Sequence, residues 1–343
     1  MFSAGLLRNA FKASQQFKFR QPVRNFKPKR PQEVESVETT IKPENIEKEI
    51  PINHAPHHKP ETPVLGRYFV YTAVAIPTFF TGCMIWQYEN IQKLLHQKKQ
   101  PKQNEPITKT VGFREHLRVI WNHSMSNTQK MYVGILSLNA AVLCLWRVGS
   151  LRPYMYKYFT SLPLKANSVT SATLSAFSHS NFLHFAVNMY VLYSFSNLLI
   201  PTLGREQFLA VYLSGATFSS LTSCVFRVTR RSMIPSIGAS GAILTVLSMC
   251  CLLYPNSRLS IAFIGEIFPH SFSAQSGLMA VVLLDCAGII FRWKLFDHAA
   301  HLGGVIFGYL YLKFGHKLLW EKYRKSVFET WKVIRKRIFW KIS

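Results

Sequence analysis

"YFVYTAVAIPTFFTGCMIWQY", residues 68–88, carries no charged side chain over twenty-one positions. The hydrocarbon core of a bilayer takes about 20 mostly apolar residues in helical form, so this stretch reads as a membrane span, with Pro77 as a point of kinking. Six further apolar runs follow at about 131–149, 182–201, 207–226, 240–254, 272–291 and 298–314. The expected fold class is an all-α polytopic membrane protein. Its order is one span (67–88), a polar and basic connector (89–130) with a short amphipathic helix at 113–121, a six-span core (131–315) and a basic amphipathic tail (316–343). Trp320, Trp331 and Trp340 in the tail suit a helix on the membrane surface. Since no internal repeat is visible, a transporter built from duplicated halves gains no support.

The composition agrees with this layout. Hydrophobic residues make up 48% of the 343, yet the net charge is +25, so charge and apolar surface must occupy separate segments. The Lys and Arg residues cluster at the termini and beside apolar runs, with no nucleic-acid reader motif among them; anionic lipid accounts for them better than nucleic acid. Positive-inside counting does not orient the chain, because the N-terminal region, the connector and the tail are all basic. All six cysteines fall within apolar runs and read as small buried hydrophobes, without metal-type spacing.

Residues 1–32 contain eight Lys/Arg and no acid. Phe2, Leu6, Leu7 and Phe11 with Arg8 and Lys12 fit an amphipathic basic helix of the mitochondrial transit type, and the unbroken apolar core of a secretory signal is missing. A Pro- and Glu-rich linker (33–66) follows, reading as disordered.

Polar groups within spans are costly and mark functional candidates. In "SHSNFLHFAVNMY" (178–190), His184 and Asn188 are four apart and share a helical face, with His179 just ahead of them. In "SIGASGAI" (236–243), Ser240 stands between Gly238 and Gly241 where a helix begins. The orphan amides of a first turn favour developing negative charge, although the same small residues also serve helix packing. In "DHAAHLGGVIFG" (297–308), His301, Gly304 and Gly308 share a face, and the GxxxG step admits a close neighbour. If that neighbour carries Ser240, the imidazole meets the hydroxyl and can serve as its base. Asp285 in "LLDCAGI" could orient a histidine, bond another helix or carry a proton, and His298 is a second candidate base.

These stretches together resemble the rhomboid family of intramembrane serine proteases. One span ahead of a six-span core, behind a transit peptide, resembles its mitochondrial, presenilin-associated rhomboid-like branch. The similarity covers roughly residues 131–315. It implies a six-helix rhomboid core with one additional N-terminal transmembrane helix, and a Ser240–His301 dyad without an obligatory third acid. It further implies oxyanion support from His184, Asn188 and the Gly238–Ser240 turn, with no metal and no cofactor. The implied substrates are single-span transmembrane proteins of the mitochondrial inner membrane, cut in protein processing and quality control. Where bacterial relatives carry a tyrosine stacked on the histidine, this chain has Leu244, so His301 must be oriented some other way. The Trp–Arg pair of the family's first loop appears as Trp146–Arg147, at the end of a span.

Other intramembrane protease chemistries fit poorly: HExxH is absent, and Asp285 lacks a GxGD partner. The alternative within the family is a catalytically inactive scaffold that binds transmembrane helices. Such proteins typically lose the serine or the histidine, and this chain retains both.

Overall fold

The computed structural model describes residues 65–99, 112–163, 168–232, 234–260, 271–294 and 296–340. The transit peptide expected at 1–32, the linker up to residue 64 and residues 100–111 of the connector lie outside these.

Helix α1 (Leu65–Lys99) runs through Pro77 and continues past Tyr88. The apolar pattern ends there, but "ENIQKLLHQKK" lacks Pro and Gly and is rich in good helix formers. The turn just past Tyr88 is also tied down. Asn90 donates to Glu206 at 2.6 Å, and Glu89 accepts from Trp331 at 2.8 Å and pairs with Arg335 at 3.0 Å. Helix α2 (Phe113–Val119) lies where the connector's amphipathic stretch is expected. Helix α3 (Asn127–Leu145) starts ahead of Met131 because Ser126 and Gln129 form a reciprocal capping box.

Between α3 and the next long helix lie α4 (Arg152–Phe159) and α5 (Ser171–Leu174). Trp146 is buried at the start of this segment, donates to Ser178 and meets Tyr156 edge-on, so the segment is pinned at both ends. Next come α6 (Phe182–Leu203) and α7 (Arg205–Thr229), separated by Gly204 at φ +83°, then α8 (Ser240–Leu253). A two-residue antiparallel pair, β1 (Arg258–Leu259) with β2 (Phe272–Ser273), leads into α9 (Ala274–Ile290). Helix α10 (His298–Leu310) passes through a π-helical stretch (Tyr311–Glu321) into α11 (Lys322–Trp340).

Among these, α1, α3, α6 and α7 are long and apolar enough to cross a membrane, while α8 and α9 are shorter apolar helices. The apolar window of α7 is 72% buried, against 28–33% for the other three, which makes α7 the central post. Helices α1, α8 and α10 pack on it. Close approach depends on small residues. A Cβ on Gly215 would strike Thr245, one on Gly241 would strike Ser219, and one on Gly303 would strike Thr222. On the periphery, α6 exposes Phe182, Leu183, Val187 and Tyr190, and α9 exposes Met279, Leu283 and Leu284, as lipid-facing surfaces require.

The two ends of the bundle differ. At one end Tyr68 near the start of α1 donates to Leu162 at 2.6 Å and lies 3.2 Å from Ser171. At the other, the Asn90–Glu206 bond joins α1 to the start of α7, and Phe328 of α11 meets Tyr88 edge-on at 5.4 Å. The tail is thus helical and docked along the end of α1.

Candidate active site

Helices α8 and α10 are forced together by their glycines. A Cβ on Gly304 would land on the carbonyl oxygen of Gly241, and one on Gly308 would land on Ser248. Thr245 Oγ1 donates across the seam to Gly304 O at 3.0 Å. This contact sits one turn from each reactive side chain and brings Ser240 Oγ to 3.0 Å from His301 Nε2. Among the described residues, the imidazole within hydrogen-bonding distance of Ser240 is that of His301.

The other ring nitrogen, His301 Nδ1, lies 3.0 Å from Asp285 Oδ1 on α9. The same oxygen is 2.7 Å from His298 Nδ1. If each Nδ1 carries a proton, one carboxylate oxygen accepts both, and both Nε2 atoms become acceptors, the tautomer a serine base needs. His298 is therefore Asp285's second donor and lies away from the hydroxyl. Gly288, one turn beyond Asp285, makes room for it, since a Cβ there would fall on the His298 ring. The ligand atoms of Asp285, His298 and His301 lie within 4.8 Å of one another, so among the described residues these three could hold a metal ion. Asp285 Oδ1 meets both Nδ1 atoms, while Asp285 Oδ2 and His298 Nε2 are buried without a hydrogen-bond partner among the described residues.

Burial divides the site. Ser240, His301, His184 and Gly238 are partly exposed, whereas Asp285 and His298 are buried. Ser240, His301 and His184 remain reachable, while Asn188 is buried like the acid.

Gly238 adopts φ +132°, a conformation that favours glycine. A Cβ there would sit 3.0 Å from Cε1 and 3.1 Å from Nε2 of His184, and 3.8 Å from Ser240 Oγ. The missing side chain leaves a small space between the His184 ring and the serine. His184 Nδ1 accepts from the Ser180 backbone N–H at 3.4 Å, which leaves the ring proton on Nε2, facing that space. Asn188, one turn on, gives one N–H to His184 O at 2.8 Å and carries a second. His179 is fully buried and packs edge-on against His184, with ring centroids 5.1 Å apart, so it supports that ring.

Helix α8 begins without a side-chain cap at Ala239, whereas α3, α6, α9 and α10 are each capped by a side chain. Its first amides are therefore left for another acceptor. Phe296, in the turn before α10, lies 6.0 Å from the His301 ring at an interplanar angle of 35°. It supplies an aromatic neighbour that the Leu244 position does not. Phe296, Ser180 and the N-cap Asp297 are site residues that sequence reasoning passed over. For Asp297 the available signal was an acid directly ahead of a helical His/Gly face.

The residues from 166 to 318 match the Rhomboid domain model. Over 266 residues the chain is 42% identical to the mitochondrial presenilin-associated rhomboid-like protein of Mus musculus, covering 75% of this chain and 69% of that protein. The Homo sapiens counterpart is 41% identical over the same shares. The chain belongs to the rhomboid family. A third relative, mitochondrial Rhomboid protein 1 of Saccharomyces cerevisiae, is 34% identical over 54% of this rhomboid and 53% of its own length. No solved structure matches the chain. This rhomboid is a multi-pass protein of the mitochondrial inner membrane, in a family whose members are usually serine proteases acting on transmembrane substrates.

Proposed function

We propose that this rhomboid is an intramembrane serine endopeptidase that cleaves single-span proteins of the mitochondrial inner membrane, within or near their transmembrane helices. The observation that carries the reading is the run Ser240 Oγ to His301 Nε2 at 3.0 Å and His301 Nδ1 to Asp285 Oδ1 at 3.0 Å.

In the first step His301 Nε2 takes the Ser240 proton as Oγ bonds to the scissile carbonyl carbon. Negative charge develops on the carbonyl oxygen. We assign the oxyanion to the uncapped start of α8, the Nε2–H of His184 and the second N–H of Asn188. Collapse of the tetrahedral adduct breaks the C–N bond, and the imidazolium returns its proton to the leaving amine. Water, deprotonated by His301, then hydrolyses the acyl ester and restores the serine. Asp285 holds the imidazole in register and balances the charge it acquires, so the proposed dyad gains an acid that family likeness does not require.

The test is cleavage of a co-expressed single-span reporter. Ser240→Ala and His301→Ala are each expected to abolish cleavage at unchanged expression, and persistent cleavage by Ser240→Ala would falsify the assignment. Labelling of Ser240 by a fluorophosphonate separates the protease from a scaffold that merely binds transmembrane helices. Processing and quality control of inner-membrane proteins is the role that fits such an enzyme.

A further inference from the structure

Asp297 lies one turn ahead of His301 and anchors more than its own helix. Its Oδ1 caps α10 by accepting from Ala300 N at 3.1 Å. Its Oδ2 accepts from Ser223 Oγ at 2.6 Å and from Arg227 Nη2 at 2.7 Å, both on α7, and from Ser236 Oγ. Arg227 Nε in turn donates to Ser223 Oγ at 2.9 Å. One carboxylate thereby joins the central post, the helix that carries the base and the loop that delivers the nucleophile four residues later.

That loop needs outside support. Among its described residues, helical hydrogen bonding begins at Ala239, whose carbonyl accepts from Ile243 N, and Gly238 removes side-chain restraint where the backbone turns. Its fixed points are a two-bond bridge between Ser161 and Ser236, the Gly238 N–H to Ser175 O bond at 3.0 Å, and the Ser236–Asp297 contact. The first two tie the loop to the α3–α6 segment. Ser236–Asp297 alone among them ties it to α10. The Gly241–Gly304 and Ser248–Gly308 seam fixes the spacing of α8 and α10 from Gly241 inward, and Ser236–Asp297 lies on the other side of the reactive pair. An attachment on each side of the reactive pair sets the angle at which the two helix starts meet.

We infer that Asp297, bridging Ser236 and Arg227, is a positioning residue that sets the Ser240–His301 approach. The inference rests on the protease reading above. Misplacement of reacting groups by about 1 Å costs on the order of a hundredfold in rate, so the clamp acts on kcat more than on KM.

The test uses the full-length rhomboid in detergent or liposomes, with active sites titrated by fluorophosphonate so that kcat refers to folded, reactive enzyme. Ser236→Ala cuts only the tie between loop and α10, and is expected to lower kcat and the labelling rate about tenfold with KM within about threefold. Ser223→Ala removes a bond to the same oxygen from α7 and is expected to lose less. Asp297→Asn leaves Arg227 without its counter-charge and can fail to fold. Arg227→Gln/Asp297→Asn therefore accompanies it, removing both charges together, with an expected kcat loss of about a hundredfold. Wild-type kcat per titrated site in Ser236→Ala, or equal losses in Ser236→Ala and Ser223→Ala, overturns the clamp. Cleavage that persists in Ser240→Ala instead overturns the protease reading.

Discussion

The two helices that meet at the site begin in opposite ways. Helix α10 starts on Asp297, whose side chain caps its first turn and is held by three other groups. Helix α8 starts on Gly–Ala with no side-chain cap, immediately before the serine. A capped helix end is settled, because its amides are spent and its position is fixed. An uncapped end keeps its amides for whatever arrives. The difference assigns geometry to one helix start and charge stabilisation to the other.

The contrast can be attacked directly. Asp285→Asn leaves both helix starts intact but removes the charge behind His301, and is expected to lower kcat by a hundredfold or more, roughly as loss of a triad acid does elsewhere. A loss below threefold would demote Asp285 to a packing role. Ala239→Ser offers α8 the cap it lacks. Capping is worth about 1 kcal/mol, so the melting temperature should hold or rise while kcat falls about tenfold, as an internal acceptor competes for the oxyanion's amides. Unchanged kcat with a raised melting temperature would show those amides to be idle. Gly304→Ala probes the seam beneath both starts. Its Cβ meets a backbone oxygen, and overpacking of this kind costs about 1–3 kcal/mol, readable as a lower melting temperature. Phe296→Ala is the mildest, with an expected two- to fivefold loss in kcat from a looser His301 ring; a larger loss than Asp285→Asn would make stacking the main restraint on the base.

The spans were legible because hydropathy is local: each apolar run declares itself without reference to its neighbours. The meeting of α8 and α10 was legible for a related reason, since Gly304 and Gly308 repeat on His301's own face and invite one close partner. The contact between Asp285 and His301 was open as one of three roles, because it depends on the relative depth of α9 and α10, which no single helix encodes. Asp297 was passed over because its partners Arg227 and Ser236 lie far upstream. The extension of α1 past Tyr88 escaped for a further reason. A hydropathy window detects where lipid ends, whereas the helix continues through Glu89 and Asn90, which hold the tail and Glu206, and on to Lys99.

The start of α1 sits beside the Leu162–Ser171 region, which is bridged to the loop feeding Ser240, while the far end of α1 meets the start of α7 and α11. The start of α1 therefore lies at the end of the bundle that holds the loop feeding Ser240, and α11 packs at the opposite end. A tag on the C-terminus, mapped by its susceptibility to added proteinase in mitoplasts, would report which compartment bathes α11, and hence the end opposite the Ser240 loop.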